Sequence, residues 1–293
     1  MHFKQRRVQM SKNSDTITLI PIEKLIPFRD HPFQVRDDEQ MKMITESIGS
    51  VGVLVPAIAR PLSDGTYELI SGHRRKRATE LLGLHTLPVI IREVDHDTAI
   101  VMMVDSNFQR EEILPSERAR AYKMKLEAIK RQGTRTDLTS AQVGQKSDRK
   151  SSRDLIAENS PDSSSQIQRY LRLNELIPEL LQMVDEGKIA LTPAAEISYL
   201  SKEKQEILLM TIDSEMATPS LSQAQRMKQL SREGKLTDDM ILKIITEQKK
   251  PECWNLTLPI NKVSKYFPRS YTPQRMEEVI FSLLDKWIKS KIQ

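Results

Sequence analysis

A chain of 293 residues has the length for one to three domains, and 38% hydrophobic with 29% charged residues is the composition of a soluble, helix-rich protein. The single cysteine, Cys253, excludes a disulfide framework and a cysteine-based zinc site, and no apolar run reaches the roughly 20 residues that cross a bilayer. The formal net charge of +5 suits a polyanionic partner, and equally an ordinary solvated surface.

Residues 1–16 are polar, with a basic start and no apolar segment behind it, so they read as a disordered tail rather than a secretory signal; Met10 is an alternative start. These features lead to the expectation of a cytoplasmic protein. From residue 17 to 94 strand-like and helix-like runs alternate. Residues 17–22 are β-rich, and Met41, Ile44 and Ile48 give residues 38–51 a helical spacing. A strand is predicted over 54–59, a turn at Asp64-Gly65 and a returning strand from Tyr67, which together make a hairpin. A helix follows over 74–82 with Gly83 as its stop, then a strand from Leu87.

Beyond Asp97 strand signals vanish. Ser116 is predicted to cap a helix that ends at Gly133, and residues 133–151 read as a linker. Gln142-Val-Gly-Gln-Lys-Ser147 lacks the glycine placement of a P-loop and reads as loop. Pro178 suits a first helical turn, Pro193 another behind a Thr192 cap, and Thr237 a further cap. A polar hinge over 247–252 leads to a last helix from Thr272-Pro273 to the terminus. Its stripe of Met276, Ile280, Leu283 and Trp287, with Val279, Leu284 and Ile288 beside it, packs either on Trp254, Leu256, Leu258 and Ile260 or on a second copy.

Two stretches carry chemistry. The first is Ser71-Gly-His-Arg-Arg-Lys-Arg-Ala78, where a strand gives way to a helix. Gly72 admits close approach to the backbone, the first helical N–H groups point outward, and Arg74, Arg75 and Arg77 add forked cationic donors: a phosphate-binding pattern, or else a basic first turn in solvent. Two companions flank it: the run from Gly52 through Pro56 to Arg60-Pro61, and Asp105-Ser-Asn-Phe-Gln-Arg-Glu111, where Asn107, Gln109 and Arg110 are crowded together.

The second is a helix pair. Residues 151–160 form a short helix, Pro161-Asp162 a turn, and residues 163–173 a second helix, with Ala157 at the crossing and Ile167, ten positions on, as the buried apolar residue. That is helix-turn-helix spacing. With Ile167, Tyr170 and Leu171 inward, the outer face presents Ser163, Ser164, Ser165, Gln166, Gln168, Arg169 and Arg172, the residue types that read grooves and grip phosphates. Lys150 and Arg153, with Arg149 beside them, suit DNA-backbone contact. An ordinary helix pair with a polar face fits the same residues.

Four runs in order, His31-Pro-Phe-Gln-Val-Arg36, Gly52 to Pro61, Gly72 to Ala78 and Ser106-Asn-Phe-Gln-Arg110, resemble the boxes of the ParB/Spo0J partition family, which read roughly NPxQPR, GIxxPxxVRP, GERRxRA and ENxQRE. The resemblance implies an α+β protein: a small α/β nucleotide-binding domain over 17–110, a mostly helical helix-turn-helix domain over 111–245, and a short C-terminal helical segment over 252–293 that dimerises. It implies CTP and a divalent metal, Mg2+, held among Gln34, Arg36, Gly52, Pro56, Arg60, Gly72, His73, Arg74, Arg75, Arg77, Ala78, Asn107, Gln109 and Arg110, with Asn107 toward the metal. It also implies double-stranded DNA as partner, a partition ATPase as a further one, and a place on the nucleoid away from any membrane. His73 stands where the family has Glu, and Ser106 stands where its metal-side Glu sits, so slow hydrolysis is expected. The module also resembles sulfiredoxin, but Ser71 to Arg74 contains no cysteine, which disfavours thiol chemistry. The competing readings are a transcriptional regulator with a vestigial pocket and a DNA-targeted nuclease or CTP hydrolase.

Overall fold

The structure, a computed structural model, describes residues 16–109, 113–139, 152–158, 160–247, 263–268 and 270–291. Five strands form one sheet in the order β1-β5-β3-β4-β2: β1 (Ile17–Pro21), β2 (Leu25–Pro27), β3 (Ala57–Pro61), β4 (Tyr67–Ser71) and β5 (Thr86–Ile91). β3 and β4 are the expected antiparallel hairpin, closed by Gly65 at φ 81° and by Asp64, whose carboxylate accepts from the backbone and hydroxyl of Thr66. β5 pairs parallel with β3 and antiparallel with β1, and β2 runs parallel to β4.

Successive strand residues alternate between faces. Ala57, Ala59, Leu69, Leu87 and Val89 are wholly buried on one face, whereas Ile58 and Ile70 meet the core on the other. Arg60 and Glu68 share the second face and form a buried pair, with 2.6 Å between Nη2 and Oε2. Two helices flank the sheet: α1 (Glu39–Val51), capped by the Asp38 carboxylate, and α2 (His73–Leu81). They meet through Met41, Ile48 and Ala78.

The helical part follows as α3 (His96–Asn107), α4 (Pro115–Thr139), α5 (Ser152–Glu158), α6 (Ser164–Leu173), α7 (Pro178–Asp185), α8 (Leu191–Ile197), α9 (Lys202–Glu215), α10 (Leu221–Arg232) and α11 (Asp238–Thr246). α3 and the loop after β2 share a core with the start of the helix-turn-helix: Phe28, Phe33, Met103, Tyr122, Ile156 and Ile167 are all buried in it. Packing therefore runs on across residue 110, and residues up to Thr246 fall into one compact unit. A separate core joins α6 to α7–α11. The second unit begins at Glu247 and contains α12 (Pro273–Lys291), whose first turn is capped by the Thr272 hydroxyl; among its described residues Leu283, Trp287 and Ile288 remain about half exposed.

Four boundaries differ from expectation. α4 begins at Pro115, so Ser116 lies within its first turn instead of capping it, and its N–H donates to Asp185 Oδ1. α4 continues through Gly133 to Thr139, since a glycine in a helix costs only about 1 kcal/mol against alanine and does not block its hydrogen bonds. β3 begins at Ala57 rather than 54, because the carbonyls of Val55 and Pro56 accept from the Arg75 guanidinium. α8 is capped at Ala190, which puts Pro193 within the first turn, where an N–H has no helical partner to lose. Residues 1–15, the P-loop-like run at 142–147, the hinge residues 248–252, Cys253 and the 254–260 partners of the last helix lie outside the described residues.

Candidate functional site

β4 enters α2 through Gly72, at φ 102°. A Cβ there would lie 2.8 Å from the Ala57 Cβ and 3.2 Å from its Cα, so only glycine lets the two segments approach. Because Gly72 has no side chain, nothing caps the helix, and its first N–H groups face a cavity of about 770 Å³. The walls come from four further places: the loop at His31 and Val35, α1 at Gln40, Met43, Ile44 and Ser47, the loop 52–55, and the end of α3 at Ser106 and Asn107.

Two cations are fixed at this helix end. Arg74 donates from Nη1 to Gln40 Oε1 (2.8 Å) and from Nη2 to Asp38 Oδ1 (2.9 Å), while its Nε is buried with no hydrogen-bond partner among the described residues. A buried guanidinium donor without an acceptor is costly, and such groups in folded proteins are nearly always satisfied. Arg75 donates from Nη1 to the carbonyls of Val55 and Pro56, and burial lowers its pKa from the ordinary arginine value. The His73 ring lies tilted against His31 with ring centroids 3.8 Å apart, and its Nε2 accepts from the Phe28 N–H. Opposite these polar groups stand Met43, Ile44, Ile48 and Val53. Backbone donors and guanidinium groups facing an apolar wall suit a ligand with an anionic end and a flat or apolar body.

Gly52, Gly72, His73, Arg74, Arg75 and Asn107 thus gather on the cavity, while the other expected contacts serve elsewhere. Arg60 is bound to Glu68 and His96 on the α3 face of the sheet. Ala78 is wholly buried between α1 and α2. Arg77 forms a two-point pair with Asp37, holding that carboxyl below its ordinary pKa. Pro56 gives its carbonyl to Arg75. Gln34 and Arg36 are exposed and bonded to one another, and Gln109 is exposed just past α3. Arg110 and Glu111 lie outside the described residues. Asp38 and Gln40, which orient Arg74, went unnoticed in the sequence, where they read only as the start of a helix.

The donor set for a metal is thin. The Ser106 hydroxyl and the Asn107 amide nitrogen both donate to the Met103 carbonyl, and no described residue lining the cavity is a carboxylate. Among the described residues no group of three or more His, Cys, Asp or Glu side chains comes together. These residues do not fit a divalent ion held by the protein, which needs hard anionic oxygen ligands.

The helix pair is built as expected, with several of its outward residues taking other roles. Ser163 caps α6, and Gln166 returns to accept from the Ser163 N–H at 3.0 Å, so this glutamine closes a capping box instead of reaching outward. Ser164 donates to Asp154 on α5, and Arg172 donates to Ser198. Ser165 and Gln168 are exposed and Arg169 partly so; Ile167 is wholly buried. The turn is bolted to α4: Asp162 accepts from Arg118 Nη1 and from the Tyr122 hydroxyl, each at 2.7 Å. Burial pushes the Tyr122 phenol upward in pKa. Arg153 lies on α5, partly exposed; Lys150 lies outside the described residues.

Residues 6–108 match the ParB N-terminal domain family. The nucleoid occlusion protein of Geobacillus thermodenitrificans is 31% identical over 80% of this chain and 71% of its own. The probable chromosome-partitioning protein ParB of Pseudomonas putida is 30% identical over 64% of this chain; the match spans 58% of that relative's length. A crystal structure of the C-terminally truncated chromosome-partitioning protein ParB from Caulobacter crescentus, complexed to the centromeric parS site, is similar with a TM-score of 0.45 and 23% identity, covering 74% of this chain and 99% of that one.

Proposed function

Because this chain belongs to the ParB/Spo0J family, we propose that it is a sequence-specific DNA-binding protein of the partition type, gated by a nucleotide, with CTP as the ligand the family resemblance names. The observation that carries the nucleotide half is the buried, partnerless Nε of Arg74 beside the uncapped start of α2. A phosphate group at that point satisfies the guanidinium and the helix N–H groups together. Arg75, already desolvated, adds charge without further reorganisation. The base rests against the apolar wall of α1 and Val53. Among the described residues the cavity walls offer no carboxylate to hold Mg2+.

The DNA half is supported by the outer face of α6, where Ser165, Gln168 and Arg169 are free of the capping box that holds the helix in place. The core shared by Phe33, Tyr122 and Ile167 gives the cavity a mechanical connection to the helix-turn-helix. The nucleotide acts as a conformational ligand that shifts an open–closed equilibrium, and the absence of a carboxylate from the described cavity walls favours slow turnover. The half-exposed seam of α12 is the surface for a homodimer. A partition ATPase completes the assembly.

Titration calorimetry against CTP, GTP, ATP and UTP tests the pocket. Binding of CTP alone, with DNA protection spreading beyond the selected site only when CTP is present, supports the proposal; no nucleotide binding leaves the regulator reading. A role in nucleoid occlusion is the second reading, favoured by the larger share of this chain that the occlusion relative matches. A deletion strain separates the two readings: failed segregation supports partition, and division across the nucleoid supports occlusion.

A further inference from the structure

Arg172 was expected on DNA but donates from Nε and Nη2 to the hydroxyl and carbonyl of Ser198, and its guanidinium carbon lies 3.9 Å from the centroid of the Tyr199 ring. Two cations of α10 converge on the same ring: Lys228 Nζ at 3.8 Å and Arg232 Cζ at 5.4 Å. One carboxylate among the described residues enters this group, Glu196, at 2.5 Å from Lys228. Three positive groups around one aromatic ring, offset by a single negative one, repel each other in the free protein. The ring eases that repulsion and holds the charged heads in fixed places. Local conflicts of this kind are expected where a ligand resolves them.

Position identifies the ligand. Ser165, Gln168, Arg169 and Arg172 are spaced 3, 4 and 7 apart on α6 and so share one helix face, the face assigned to DNA above. Arg172 ends that face, and the Tyr199 ring carries it on to α10. We infer that Tyr199, Arg172, Lys228 and Arg232 form a second DNA contact, a clamp on the sugar-phosphate backbone beside the groove that α6 occupies. This deepens the DNA reading proposed above and rests on it. The clamp contributes affinity without sequence preference, because phosphates carry no base information.

The test uses the full chain, a duplex selected by the parent from a random pool, and a scrambled duplex of equal length, in a salt series followed by fluorescence anisotropy. Lys228→Ala with Arg232→Ala should weaken both duplexes by the same factor, about tenfold, and flatten the slope of log affinity against log salt by about two. Glu196→Gln should tighten both and steepen the slope. Tyr199→Leu should weaken both duplexes, since the ring holds the cations. An unchanged salt slope in the double variant overturns the clamp, including the case where only the melting temperature falls, which would mark a purely structural cluster. If the slope is unchanged while Arg169→Ala still relaxes specificity, the clamp fails and the DNA reading stands. If the parent prefers single-stranded RNA or free polyphosphate over either duplex, both fail.

Discussion

The two basic helices, α2 and α6, begin in opposite ways. α2 starts at a glycine that supplies no capping group, beside a cavity, with two arginines held in place by Gln40, Asp38 and the 55–56 carbonyls. α6 starts at a closed capping box, its turn anchored by Arg118 and Tyr122. The open helix end has all its first backbone donors to offer a ligand; the closed one has two of them taken by its capping box, and what it offers is the side-chain face behind the cap. Basic residues on a helix thus mean different things according to whether the helix satisfies its own first turn.

The largest way to break this contrast is Gly72→Ala. The left-handed backbone and the Cβ collision with Ala57 should together cost about 2–4 kcal/mol of stability, read from denaturant unfolding, and should abolish nucleotide binding. Arg75→Ala should weaken CTP by about 1.5–3 kcal/mol, roughly 10- to 150-fold, with helix content unchanged in circular dichroism; unaltered affinity would remove the anion site from α2. At the other helix, Arg169→Ala and Gln168→Ala should each relax base discrimination by about 1–3 kcal/mol in competition binding, without touching CTP affinity. Smallest, Ser163→Ala should cost about 1 kcal/mol of stability by opening the capping box, while Ser163→Gly should cost a few tenths. If Ser163→Ala instead changes which duplex is selected, α6 reads DNA through its first turn and the contrast fails.

Much of this was legible in the sequence because it rests on local chemistry. The Asp64-Gly65 hairpin and the strand-to-helix passage at Gly72 are each signalled by a residue whose conformation or hydrogen bonding admits few alternatives. α3 left no such trace: its centre, Ala99 to Val104, is apolar all round, and a helix buried on several sides shows no 3.6-residue period. Gln166 was assigned to DNA because glutamine suits both base edges and capping boxes, although the Ser163…Gln166 spacing was itself the capping signal. Arg60 joins the expected site through the family resemblance and Arg77 through its place beside Arg74 and Arg75; only the fold reveals that Glu68 and Asp37 occupy them. The Tyr199 cluster draws on three helices, and no local pattern announces it.

The core that Phe28 and Phe33 share with Ile156 and Ile167 has a consequence for how the protein loosens. A fluctuation that bares α6 must also disturb side chains that support the cavity loop, so the two regions open as one cooperative unit. A ligand that binds only the closed cavity then suppresses openings of α6 that it never touches. Amide hydrogens buried along the DNA-facing helix inherit protection from a nucleotide bound on the other side of the core, and coupling between the sites needs no rigid lever, only a common melting event.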